Sequence, residues 1–204
     1  MKLYCMPGAC SLADHIVLEW IGVEHEIVAL SHDKLKADYL KINPSGAVPA
    51  LQLDDGTILT QNIAILDYLS QLKPEARLAG DGTPVARATV LRWTAFLNSD
   101  VHKNFSPLFS PARFVDGEAA QADLTGKAIA RLQEQFAILD TRIGNGTWLV
   151  DDQRSIADPY LYVLLRWARA MKIDLFGFAN LDRFFRHMAA DAGVQAALKA
   201  EGLD

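Results

Sequence analysis

The hydrophobic period of this chain changes near Lys73-Pro74, and that change limits what the chain can build. Short apolar runs of strand length alternate with helical patterns before it. Only the helical period, apolar residues three and four apart, continues after it. Such an order implies a sheet-containing unit followed by a packed set of helices.

Within the first part, Lys2 to Cys5 reads as a short strand ended by Pro7-Gly8. Ser11 to Ile21 reads as a helix, because Leu12, Ile16 and Trp20 recur every four residues and make one apolar face. Gly22 suits the left-handed backbone that stops it. Glu26 to Leu30 is a second strand, and the polar stretch Ser31 to Lys41 has weak helical character. Asn43-Pro44-Ser45-Gly46 is a turn by composition. Ala50 to Leu53 and Thr57 to Thr60 flank the hairpin signal Asp54-Asp55-Gly56, and Asn62 to Leu72 is helical. The first two strands, joined by a helix, can be parallel, while the last pair is an antiparallel hairpin. The expected fold is therefore an α/β unit with a mixed four-stranded sheet over residues 1–77, then an all-α unit over residues 84–204.

The helical part reads as one long helix from Val85 to about Phe105, ended by Pro107 and Pro111. A stripe from Leu124 to Ile143 follows, closed by Asn145-Gly146, and then helices over Asp158 to Met171 and Leu181 to Ala190. Ser155-Ile156-Ala157-Asp158 is a helix start: Ser155 can accept from a free backbone N–H, and Asp158 can accept one three residues back.

Composition excludes several functions. Half of the residues are hydrophobic and 22% are charged, which supports a core. The net charge is -5 and no run of Lys and Arg is present, against nucleic-acid binding. No apolar stretch approaches the roughly 20 residues of a membrane span, and the first residues do not form a secretory signal, so a cytoplasmic protein is expected. The two cysteines, Cys5 and Cys10, are expected to stay unpaired in a reducing compartment. His15, His25, His32, His102 and His187 show no ligand spacing, so no metal is expected.

Three features carry chemistry. Cys10 follows Pro7-Gly8-Ala9 at a helix start, where unpaired backbone N–H groups should lower a thiol pKa below about 8.5. Ala13 stands where a second cysteine would resolve a disulfide, so the lone thiol suits an external thiol partner; the alternative is a packed, inert cysteine. Val48-Pro49 precedes a strand and is either an ordinary loop proline or a cis turn that offers its backbone to an extended peptide. Gln61-Asn62 marks a strand-to-helix junction, read either as a simple cap or as a carboxylate holder.

Taken together, Pro7-Gly8-Ala9-Cys10-Ser11-Leu12, the run Asn43 to Leu51 and the run Asp55 to Ile65 are similar to bacterial beta-class glutathione transferases. The likeness continues through Asp100 to Phe109, Ser155 to Leu161 and Glu201-Gly202-Leu203, and so covers essentially the whole chain. The resemblance implies a thioredoxin-like N-terminal domain, an all-helical C-terminal domain and a homodimer. It implies glutathione as co-substrate, conjugated to a small hydrophobic electrophile, with thiol exchange or peroxide reduction as further activities. A non-catalytic ligand- or partner-binding member of the fold is the alternative.

By the same resemblance Cys10 faces the glutathione sulfur, with Ser11 as a second donor, and Val48 pairs with the cysteinyl part beside a cis Pro49. Gln61 and Asn62 hold the γ-glutamyl end, and Ser99 and His102 approach glutathione. Phe105 and Trp167 are either walls of the electrophile pocket or core. Two departures stand out: the family usually has an acidic residue at Gln61, and Gly or Ser at Asn62. Lys34 and Lys36 compete for the contact with the glycyl end, in a segment shorter than usual, and Cys5 stands where the family often has Tyr.

Overall fold

The structure is a computed structural model that describes residues 1–31 and 38–203. His32, Lys34, Lys36 and most of the expected helical character between Ser31 and Lys41 lie outside the described residues. Four strands form one sheet: β1 (Lys2–Cys5), β2 (Glu26–Ala29), β3 (Ala50–Gln52) and β4 (Ile58–Thr60), in the order β2-β1-β3-β4. β1 runs parallel to β2 and antiparallel to β3, and β3 pairs antiparallel with β4. Mixed pairing follows from the connections, a helix between β1 and β2 and a tight turn between β3 and β4.

Helix α1 (Leu12–Ile21) buries Leu12, Ala13, Ile16 and Val17 completely. It ends at Gly22, whose φ of 62° lets its N–H reach the Leu18 carbonyl at 3.0 Å. A single turn, α2 (Tyr39–Ile42), leads to the Asn43–Gly46 turn, and α3 (Asn62–Leu72) follows β4. The helical part comprises α4 (Pro84–Phe96), α5 (His102–Phe109), α6 (Glu118–Ile143), α7 (Ala157–Ala170), α8 (Ala179–Ala189) and α9 (Ala192–Ala200). One hydrophobic core joins both parts, because α1 packs on α3 and also on α7 and α9.

The structure revises the expected helix map in three places. The long helix after Pro84 runs on without a break to Phe109 but contains a π turn at Leu97–Val101, which changes the facing of α5 relative to α4. Pro107 lies inside α5 instead of ending it; near the last turn few hydrogen bonds remain to be lost, and the helix runs on to Phe109. α9 has no counterpart in the sequence reading, since only Val194 and Ala197 of it are buried, too thin a stripe to read. The Ser155–Asp158 start is as read: Asp158 Oδ2 accepts from the Ser155 N–H at 2.7 Å and its hydroxyl at 3.0 Å, and Ser155 Oγ accepts from the Ala157 N–H at 3.3 Å.

The histidines also depart from expectation. His15 and His25 meet with ring centroids 5.8 Å apart, with Glu19 between them. Their spacing hides this, because the Gly22 turn folds His25 back onto α1.

Candidate functional site

A cleft of about 180 Å³ opens where the turn before α1, the segment from Asn43 to Pro49, the start of α3 and the π turn converge. Cys10, Val48, Pro49, Gln61, Asn62 and His102 line it, as does Tyr160 of α7. Apart from His102, its described lining carries no ionisable cation and no carboxylate.

Cys10 lies in the turn before α1, next to its N-cap Ser11, and is 9% exposed. Its thiol donates to the Val48 carbonyl at 3.5 Å, a long contact suited to sulfur. The helix start was expected to lower its pKa, but burial dominates and pushes the thiol up to about 12. Asp14 adds to the rise; Asn62 and the Cys10 and Ser11 N–H groups oppose it. Asp14 is itself fully buried, its carboxyl is raised well above the usual range by burial, and neither of its oxygens has a hydrogen-bond partner among the described residues.

Two features hold the loop before Cys10. The Gly8 N–H donates to Glu201 Oε2 at 2.9 Å, and the Gly8 carbonyl accepts from Trp167 Nε1 at 2.8 Å. Both partners come from the helical part, so the cysteine loop is fixed from outside the sheet. Glu201 Oε1 also accepts from His15 Nδ1 at 2.9 Å.

The Val48–Pro49 peptide is cis. Asn43 Nδ2 donates to the Ala47 carbonyl at 2.6 Å and the Tyr39 hydroxyl donates to the same oxygen at 2.7 Å. These two bonds position the turn that carries Val48, and neither Tyr39 nor Asn43 was legible as a supporting residue. Gln61 sits between β4 and α3 with φ 73°, a left-handed backbone that is uncommon outside glycine, and its side chain is exposed at the cleft. Asn62 is buried and donates Nδ2 to the Cys10 carbonyl at 3.0 Å. That amide nitrogen braces the cysteine loop, while Oδ1, at the cleft, has no hydrogen-bond partner among the described residues.

His102 reaches the cleft from the start of α5, and Ser99 does not line it. Ser99 is exposed, while Asn98 faces the cleft in its place. The wider π turn explains the difference: it aligns residues four apart, Asn98 and His102, where a helix of α turns alone would also align residues three apart. The Tyr160 hydroxyl donates to Asn98 Oδ1 at 2.9 Å and lies 2.7 Å from His102 Nδ1. Because the phenol proton goes to Asn98, His102 carries its proton on Nδ1, and Nε2 is left as an acceptor. Burial lowers the His102 pKa to about 4, so the ring is neutral at pH 7.

Ser11 is fully buried and its hydroxyl is engaged with the Met6 backbone at 3.3–3.4 Å, which removes it as a donor to the cleft. Phe105 is fully buried and belongs to the core. Trp167 is part-buried, 4.8 Å from the His102 ring and 5.1 Å from that of Phe109. Phe109, half exposed at 51%, was not singled out from the sequence, since an apolar residue near a helix end carries no signal of its own.

A sheet of this topology bearing a lone cysteine before α1 and a cis-proline turn beside it, covered by helices, is the fold of thiol-handling transferases. The chain belongs to the glutathione S-transferase family: residues 9–72 match the family model described as "Glutathione S-transferase, N-terminal domain" and residues 96–192 the one for the C-terminal domain. It is 45% identical to "Glutathione S-transferase GST-4.5" of Xanthomonas campestris pv. campestris over the full length of both chains. The structure of a glutathione S-transferase from Xylella fastidiosa superposes with a TM-score of 0.96 at 48% identity, covering 100% of this chain and 99% of that one. A beta-class glutathione S-transferase from Sphingomonas chungbukensis superposes at 0.88 with 39% identity over the whole of both chains. The chain is thus a glutathione transferase with bacterial beta-class relatives.

Proposed function

We propose that this enzyme binds glutathione in the Cys10–His102 cleft and conjugates it to small hydrophobic electrophiles. The observation that carries the reading is the state of Cys10: a neutral thiol that donates its proton, here to Val48. A bound glutathione sulfur would take that hydrogen bond instead. Glutathione loses its thiol proton to solvent, Cys10 S–H stabilises the resulting thiolate, and the sulfur lone pair forms the C–S bond as the electrophile releases its leaving group. His102 Nε2, neutral and unprotonated, orients the thiol before ionisation. Thiol exchange through Cys10 is the slower route, because exchange requires the Cys10 thiolate.

Val48 aligns the cysteinyl part and Gln61 the γ-glutamyl end. With Gln61 in place of an acid, the glutathione amino group loses an exposed ion pair worth about 0–1 kcal/mol, a modest reduction in affinity. Residues 1–77 form the glutathione-binding domain and residues 84–204 the domain carrying the electrophile pocket. Trp167 and Phe109 supply the apolar wall of that pocket beside His102, supported by their ring contacts and by the exposure of Phe109.

In this reading the enzyme acts as a homodimer in the cytoplasm, and the two free cysteines fit a reducing compartment. Among the described residues no helix is long and apolar enough to cross a membrane. Calorimetry with glutathione, beside turnover of 1-chloro-2,4-dinitrobenzene, tests the function. Saturable binding with chloride release is expected, and binding without turnover would overturn the conjugation reading. Sedimentation showing only monomer at micromolar concentration would remove the dimer.

A further inference from the structure

We infer that His15, Glu19 and His25, none of which lines the Cys10 cleft, form a site for one divalent transition-metal ion of the zinc type. His15 and Glu19 lie one helical turn apart on α1, and His25 returns to them just before β2. Their donor atoms all lie within 4.8 Å of one another. Glu19 Oε1 is 3.7 Å from His15 Nε2 and 3.6 Å from His25 Nε2. Those separations are too long for hydrogen bonds. They are close to the edge of a zinc tetrahedron, about 3.3 Å for ligand distances of about 2.0–2.1 Å.

The tautomers point the same way. His15 Nδ1 meets the Glu201 carboxylate, an acceptor already taking the Gly8 N–H, so this nitrogen carries the proton. His25 Nδ1 donates to the Val23 carbonyl at 2.8 Å. Both Nε2 atoms are therefore lone pairs turned toward one carboxylate. The outward Nδ1–H bonds to a carboxylate and a carbonyl are the supports that metal-bound imidazoles use. His15 is fully buried, yet its Nε2 has no hydrogen-bond partner among the described residues. A buried polar atom left in this state is costly, and a cation accepting all three donors removes the cost.

Two imidazoles and a carboxylate are a donor set that zinc uses. Glu19 and His25 remain partly exposed, with side chains 29% and 13% accessible, so the ion can enter and keep a water as its fourth ligand. Bound there, it ties α1 to the entry of β2. Through His15 and Glu201 it also braces the Gly8 loop that precedes Cys10.

The test uses the intact protein after removal of metal by chelator and dialysis, titrated with Zn²⁺ by calorimetry and with Co²⁺ by visible absorption. His25→Ala and Glu19→Gln are compared with the wild type, each checked for native circular dichroism. One equivalent is expected to bind, to raise the melting temperature, and to bind at least tenfold more weakly in both variants. Two results would overturn the proposal: no saturable binding to the wild type, or unchanged binding in either folded variant. An intense thiolate-to-cobalt charge-transfer band would also overturn it, because the ion would then sit on a cysteine.

Discussion

The hydroxyl of Tyr160 accepts from His102 Nδ1 at 2.7 Å and donates to Asn98 Oδ1 at 2.9 Å, so α7 sets the tautomer of a histidine on α5. Tyr160→Phe removes the acceptor and frees the ring. A net hydrogen bond of about 0.5–1.5 kcal/mol corresponds to a fall in kcat/KM of roughly 2- to 10-fold. Steady-state kinetics with glutathione varied checks this. Since burial holds His102 near pKa 4, its protonation adds no step to the pH–rate profile between pH 6 and 8. A step near pH 6.5 that disappears in a His102 variant would count against the assignment.

Cys10 should be a slow thiol. With its pKa near 12, only about one molecule in 10⁴ carries the thiolate at pH 8, against roughly a quarter for a free thiol of pKa about 8.5. Iodoacetamide labelling followed by mass spectrometry should show Cys10 modified far more slowly than a peptide thiol, with a rate still rising above pH 9. The sign of the stability effect follows. The folded pKa lies above the unfolded value, so the contribution is complete below about pH 9 and is lost as the pH rises toward 12. Cys5, also pushed up to about 12 by burial, acts in the same window. Alkaline unfolding should therefore be less steep in Cys10→Ala.

Asp158 holds the start of α7. Its carboxyl accepts from the Leu149 N–H at 2.9 Å as well as from Ser155. Asp158→Ala leaves two buried backbone donors unpaired, so the loss should exceed the 1–2 kcal/mol of a surface cap and reach about 3 kcal/mol in urea unfolding. Burial raises this carboxyl to about 6. The unfolded chain ionises first, near pH 3.8, so the contribution of Asp158 falls between pH 4 and 6 and is level above. The stability gap between wild type and Asp158→Asn should narrow over that interval.

Glu201 clamps the cysteine loop from the far end of the chain. Glu201→Ala leaves the Gly8 N–H and His15 Nδ1 without their acceptor, at a cost of about 2–4 kcal/mol in chemical denaturation. Glutathione affinity should fall with it, because Gly8 lies two residues before Cys10. Glu201→Gln retains one acceptor oxygen and should recover part of both losses.

Much of this protein is written locally. The mixed sheet follows from a helix joining β1 to β2 and a short turn joining β3 to β4, both visible as changes of period. The Ser155–Asp158 start lies within a four-residue span, and the Gly22 stop is a single residue. Sequence similarity identified Cys10, Val48, Pro49, Gln61 and His102, and these residues meet in one cleft. Other properties depend on partners distant in the chain. Cys10 looked acidic because a helix start is local, whereas the burial that makes it a weak acid comes from packing. Ser99 yielded to Asn98 because one π turn changed the rotation of the helix. Glu201 reaches Gly8 across 193 residues, and His25 returns to His15 only because Gly22 reverses the chain. Periodicity and caps depend on neighbours a few positions away, and the sequence carries them openly. Burial, tautomer and ligand convergence depend on which distant surfaces meet, and the packing of α1 against the sheet, α7 and α9 decided those.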